Sequence, residues 1–193
     1  MDLKGKKIGF AMCGSFCTFS KAIEAVQTLV DAGADVIPIM SEAAYSADTR
    51  FGAAARWHDE LCQRTGHEII HTIQDAEPIG PKQQLDALAI LPCTGNTLAK
   101  LANDICDTPV TLAAKAHLRN ERPVIIGVST NDALAAAAHN IGVLLARRHI
   151  YFIPFSQDDP ENKTRSVVCH FPMLCDTLSA ALDGRQLQPI LAV

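Results

Sequence analysis

Short, nearly unbroken apolar runs recur along the chain, and between them apolar residues return at every third or fourth position. The runs cover residues 7–12, 34–40, 67–73, 85–91, 123–128 and 151–155. Each has the length of a strand and lacks the alternation of a half-exposed one, which predicts strands covered on both faces. Phe19, Ile23, Val26 and Val30 trace a helical stripe that stops at Gly33, a residue suited to the left-handed position that follows a helix. Further helices are predicted over 50–64, 97–105, 109–118, 133–146 and 172–182. Strand and helix alternate with short connections. Right-handed crossovers then build an α/β, three-layer αβα architecture around a doubly wound parallel sheet. With 193 residues, 48% of them hydrophobic, the chain is expected to form one domain over 1–193.

Charge and cysteine content narrow the function classes. The formal net charge is −4 and the 17 Lys and Arg are scattered. No basic stripe suits a phosphate backbone, so a nucleic-acid partner is not expected. The first apolar stretch is too short for an export leader, and no apolar run reaches the roughly 18 residues that a membrane helix needs. A cytoplasmic protein is expected. The seven cysteines are odd in number and match neither a zinc nor a CxxC spacing, as expected of reduced thiols.

The chemistry gathers where the predicted strands end. Cys13-Gly14-Ser15, Ser41, Thr94-Gly95-Asn96-Thr97 and Ser129-Thr130-Asn131-Asp132 follow the first, second, fourth and fifth runs. In an open parallel sheet these ends share one edge, where ligands bind. Hydroxyls and helix-start N–H groups can cradle a phosphate without Lys or Arg, although the same residue types also serve as caps and turn formers. Cys13-Gly14-Ser15-Phe16-Cys17-Thr18 is not GxGxxG, and there is no GxxxxGK[ST]. A dinucleotide is disfavoured, with Glu42 the one feature suited to a ribose, and a Walker loop has no support. A single phosphate, as in FMN, fits better.

Gly14-Ser15, the stretch Pro92-Cys93-Thr94-Gly95-Asn96-Thr97 followed by LAKLANDICD, and Asn131 resemble motifs of the homo-oligomeric flavin-containing cysteine decarboxylase superfamily, over most of the chain. TRFGAAARWHDEL, EPIGPKQQLD, CDTPVTLAAKAHLRN and IYFIPFSQDDP are similar, within that group, to the family of dipicolinate synthase B-type subunits. The resemblance implies a flavodoxin-like, Rossmann-like core, bound FMN, a homo-oligomer and a role in spore formation. That role is to help oxidise dihydrodipicolinate, or its hydroxylated precursor, beside a dehydrogenase-type A subunit. A non-catalytic scaffold for that dehydrogenase and an FMN-dependent decarboxylase are the alternatives. Gly14, Ser15 and Ser41 correspond to the FMN phosphate cradle. Thr94, Asn96 and Thr97 correspond to the loop that approaches flavin or substrate, and Asn131 to an asparagine that contacts both. Where the superfamily places a catalytic histidine this chain has Glu77-Pro78-Ile79-Gly80, and Thr130 and Ala135 replace its Met and Trp.

The cofactor-binding set is therefore Gly14, Ser15, Ser41, Thr94, Gly95, Asn96, Thr97, Ser129 and Thr130, and the catalytic set is Asn96, Asn131 and Lys82. A substrate with two carboxylates wants cations, and Lys82, Lys115, His117 and Arg119 are the candidates, the last three also suiting a solvated helix end. Cys93 reads as a pocket-lining thiol rather than a nucleophile, since no base adjoins it. His67 and His71 on a strand would lie about 13 Å apart, too far to share a metal. Phe51, Trp57 and Leu61 suit a core-facing helix side or a contact between protomers.

Overall fold

The structure, a computed structural model, describes residues 3–81 and 85–191. The strands β1 (Lys7–Met12), β2 (Asp35–Met40), β3 (Ala87–Cys93) and β4 (Val124–Thr130) run parallel in the order β2-β1-β3-β4. Every residue of β3 is buried, as expected of a central strand covered on both faces. Pro38 falls in β2, at the edge of the ladder, where its missing N–H costs least. β5 (Ile150–Phe152) extends the parallel sheet along the first half of β4.

Helices cover the sheet as the alternation predicts. α1 (Phe19–Asp31) contacts α3 (Ala54–Thr65) and α8 (Leu174–Leu182), whereas α5 (Gly95–Ala102) contacts α6 (Pro109–Arg119) and α7 (Ala136–Leu145). α2 (Glu42–Ser46) and α4 (Ile73–Ala76) are short turns absent from the sequence expectation. Leu88 to Leu91 and Val124 to Ile126 are wholly buried at the centre of a continuous core. This is a mixed, mostly parallel sheet flanked by helices, in the flavodoxin-like arrangement.

Three expectations need correction. Residues 67–73 do not form a strand: Ile70 alone bridges Ile39, and Thr72 caps α4 by accepting a hydrogen bond from the Asp75 N–H. The run 151–155 is broken at Pro154, after which the chain turns back. There β6 (Phe155–Ser156) and β7 (Val167–Cys169) form an antiparallel arm, and β7 pairs with the end of β4. Finally, α3 starts only at Ala54, where Asp48 accepts from its N–H, and Trp57 is 2% exposed with its ring edge-on to Phe19. Trp57 and Leu61 thus belong to the chain's own core, in line with the core-facing reading, whereas Phe51 lies ahead of the helix and is 40% exposed.

Candidate functional site

The strand ends meet along one rim. Cys13 N–H donates to Pro92 O at 3.1 Å and Ser41 N–H to Met12 O at 3.0 Å, so the ends of β2, β1 and β3 are tied side by side. The end of β4 joins them through Ser129, whose Oγ lies 2.8 Å from Ser15 Oγ. Gly95, first residue of α5, faces the loop after β4, since a Cβ there would stand 2.9 Å from Asp132 Oδ1 and 3.0 Å from Thr130 Oγ1. The turns that the sequence places at separate strand ends form one surface.

Individual hydroxyls are used differently. Ser41 Oγ accepts from Ala44 N–H and starts α2, and Thr94 Oγ1 accepts from Thr97 N–H and starts α5. Thr130 Oγ1 donates to Asp132 Oδ1 at 2.5 Å. Thr97 is 6% exposed and turned inward, donating to Cys13 Sγ at 3.2 Å. Gly14 is half-buried beside Phe16 and Ala43. Asn96 and Asn131 are both exposed, and their carboxamides make no hydrogen bond to another described residue. The rim thus offers a fixed hydroxyl pair and two free amides.

Beneath it lies a layer of thiols. Burial pushes the Cys13 thiol up to about 11, against opposing hydrogen bonds from Thr97 and the Thr94 backbone. Burial likewise raises Cys93 well above its ordinary value, and neighbouring Cys13 and Cys169 add to the effect. These thiols stay protonated, so Cys93 floors the rim rather than attacking from it.

The cations expected to meet a carboxylate are not at this rim. Lys115, His117 and Arg119 lie on α6, whose last turn leads into the start of β4, at the opposite edge of the sheet. Lys115 Nζ donates to Cys106 Sγ at 3.4 Å, and His117 is buried. Lys82 lies outside the described residues. His67 Nε2 sits 2.6 Å from Asp35 Oδ1, while His71 stacks on Tyr45 with ring centroids 3.8 Å apart. His71 follows Ile70, the partner of Ile39 near the end of β2, so an imidazole reaches rim level where the sequence suggested none. Among the described residues no group of His, Cys, Asp and Glu is placed to hold a metal, and no helix is long and apolar enough to cross a membrane.

Sequence reading also passed over His170, Ser156 and Lys21. Ser156 Oγ is 3.0 Å from His170 Nε2 on the β6–β7 arm, facing Lys21 on α1 across a cavity of about 600 Å³. The available signal was the VVCH run before the predicted last helix, too short for periodicity to register.

The Flavoprotein family model matches residues 1–169. The B-type subunit of dipicolinate synthase from Bacillus subtilis (strain 168) is 47% identical over 190 residues, covering 98% of this chain and 95% of the relative. The crystal structure of the corresponding dipicolinate synthase chain from Bacillus halodurans C superposes with a TM-score of 0.92 at 43% identity, covering 100% of this chain and 99% of that one. The FMN-dependent cysteine decarboxylase SpaF, 22% identical, shares the fold with a TM-score of 0.69 over 94% of this chain and 97% of its own. With a flavodoxin-like sheet, a hydroxyl-lined rim and near-full-length similarity to these two Bacillus proteins, the chain belongs to the Flavoprotein family and, within it, to the group of dipicolinate synthase B-type subunits.

Proposed function

We propose that the rim binds FMN and that the chain is the flavin-binding subunit of a dipicolinate synthase. It helps oxidise dihydrodipicolinate, or its hydroxylated precursor, beside a dehydrogenase-type A subunit that holds the nicotinamide cofactor. The carrying observation is the 2.8 Å approach of Ser15 Oγ and Ser129 Oγ, which plants two hydroxyls from different strand ends at one point. Together with helix-start N–H groups they suit a phosphate in a cradle without cations. Asp132 supports one side of the rim for that phosphate. Its carboxylate occupies the Gly95 side of the rim and would repel an anion, so the phosphate belongs on the Ser15 and Ser41 side. The ring then lies toward Asn96 and Asn131, whose free carboxamides can orient a ring edge or a substrate carboxylate. FMN, when bound, supplies redox chemistry on a flat ring; the chain's own residues bind, orient and exclude water. In this reading the protein works in the cytoplasm during sporulation, as a homo-oligomer.

Titrating the purified protein with FMN while recording the visible spectrum tests the assignment. Saturable uptake with a perturbed flavin band is expected, and a protein that takes up none would refute it. Most rim hydroxyls already bond within the chain, and this favours a second reading, a scaffold for the dehydrogenase partner. Asn96→Ala and Asn131→Ala separate the two. Loss of dipicolinate formation in an intact complex excludes the scaffold, whereas full activity supports it.

A further inference from the structure

The cavity of about 600 Å³ between α1 and the β6–β7 arm lies within the size range of small-molecule sites, and Lys21, Glu24, Ser156, His170, Phe171 and Leu174 are among its walls. Strand register links it to the rim. Ser129 pairs with Val168 and Val168 with Ser156 in antiparallel ladders, and directly opposed residues share a face of the sheet. His170, two residues beyond Val168, falls on that same side by alternation. The Ser15–Ser129 and Ser156–His170 pairs are thus two stations on one face.

The second station is held in place. His170 N–H donates to Pro154 O at 2.8 Å and its carbonyl accepts from Met173 N–H at 2.9 Å, which fixes the backbone on both sides of the imidazole. When Nε2–H donates to Ser156 Oγ, the serine hydrogen is left to point into the cavity. Lys21 has no carboxylate within ion-pair distance among the described residues, and it lines the cavity together with the buried Cys169. Asp158 is engaged by Lys163 at 3.1 Å. Glu24, also on α1, leaves the mouth mixed in sign, which disfavours a ligand that is anionic all round. One carboxylate on the edge of a flat apolar ring matches this lining.

We infer that this cavity is a second ligand site, seating one carboxylate of a small planar ring acid between the Lys21 ammonium and the Ser156–His170 pair, with the ring against Phe171 and Leu174. Assigning the acid to the dipicolinate class rests on the function proposed above. The site then supplies the carboxylate recognition that α6 does not, on the same sheet face as the flavin rim.

Calorimetry on the full chain with benzene-1,3-dicarboxylate, a poorly chelating isostere of dipicolinate, tests it. Lys21→Gln is expected to weaken binding about tenfold, the loss of one charge-assisted hydrogen bond, and His170→Asn to weaken it by releasing the Ser156 hydroxyl that it orients, while Lys115→Gln binds as wild type. FMN uptake and melting temperature should not change in Lys21→Gln, and Ser156→Ala provides a second, conservative variant. No binding by the wild type, or binding unaltered by both Lys21→Gln and His170→Asn, overturns the site. If FMN is not taken up yet the dicarboxylate still binds through Lys21 and His170, the flavin assignment fails and the cavity assignment stands.

Discussion

Ser129 is 3% exposed, yet its hydroxyl meets Ser15, whose chain arrives from a different strand. In Ser129→Ala the Ser15 hydroxyl loses that partner. The fold should lose about 1 kcal/mol, typical of one neutral hydrogen bond. FMN affinity should fall about tenfold if a charge-assisted contact goes with it. Melting and flavin titration of the variant read these separately. His117 makes a different prediction. Burial first, and the charge of Arg122 second, lower its imidazole from 6.5 to about 4, against the opposing backbone of Pro123 and the carboxylate of Asp86. The folded state therefore binds fewer protons than the unfolded chain between those values. Stability is full above pH 6.5, falls as pH drops toward 4, and amounts to a loss on the order of 2–3 kcal/mol. Unfolding midpoints across that range should show the slope, and His117→Gln should flatten it. Iodoacetamide should modify exposed Cys17 first, with Cys13, Cys93 and Cys169 protected until the protein unfolds; mass mapping checks the order. Residue type located the rim, since Gly, Ser, Thr and Asn mark turns. It could not reveal that Thr97 turns into the core toward Cys13, because direction depends on packing from distant strands.

At the scale of elements, the parallel frame was legible because each core strand is a continuous apolar run. Residues 67–73 have the same look, and Ile69 and Ile70 do pack against the core, but His67 is held by Asp35 and Ile73 is 43% exposed, so only the single Ile70 bridge to Ile39 forms. The β6–β7 arm escaped notice for a physical reason: strands of two and three residues carry no measurable period, and Pro154 separates them from β5. Gly127 in β4 is where this arm and the frame press together. A Cβ there would stand 2.3 Å from Leu91 Cδ1 and 3.0 Å from Cys169 Sγ. Gly127→Ala should destabilise the protein by about 1–3 kcal/mol through overpacking, measurable by denaturant titration.

For the whole molecule, the surface around α7 stands out. Leu134 is 53% exposed and Leu145 46%, with exposed Ala138 and Gly142 between them. Apolar surface of this kind marks association sites. Light scattering should give a mass that is a multiple of 20.8 kDa, and Leu134→Glu with Leu145→Glu should shift it toward the single chain. The forked outer edge of β4 carries a different consequence. Its first half holds β5 and its last two residues hold β7, so the frame would remain paired were the arm replaced. A replacement for residues 155–169 would have to keep the core contacts of Phe155, Val167 and Cys169. Grafting another relative's hairpin there should change the calorimetric affinity for benzene-1,3-dicarboxylate and leave FMN uptake as in the parent chain.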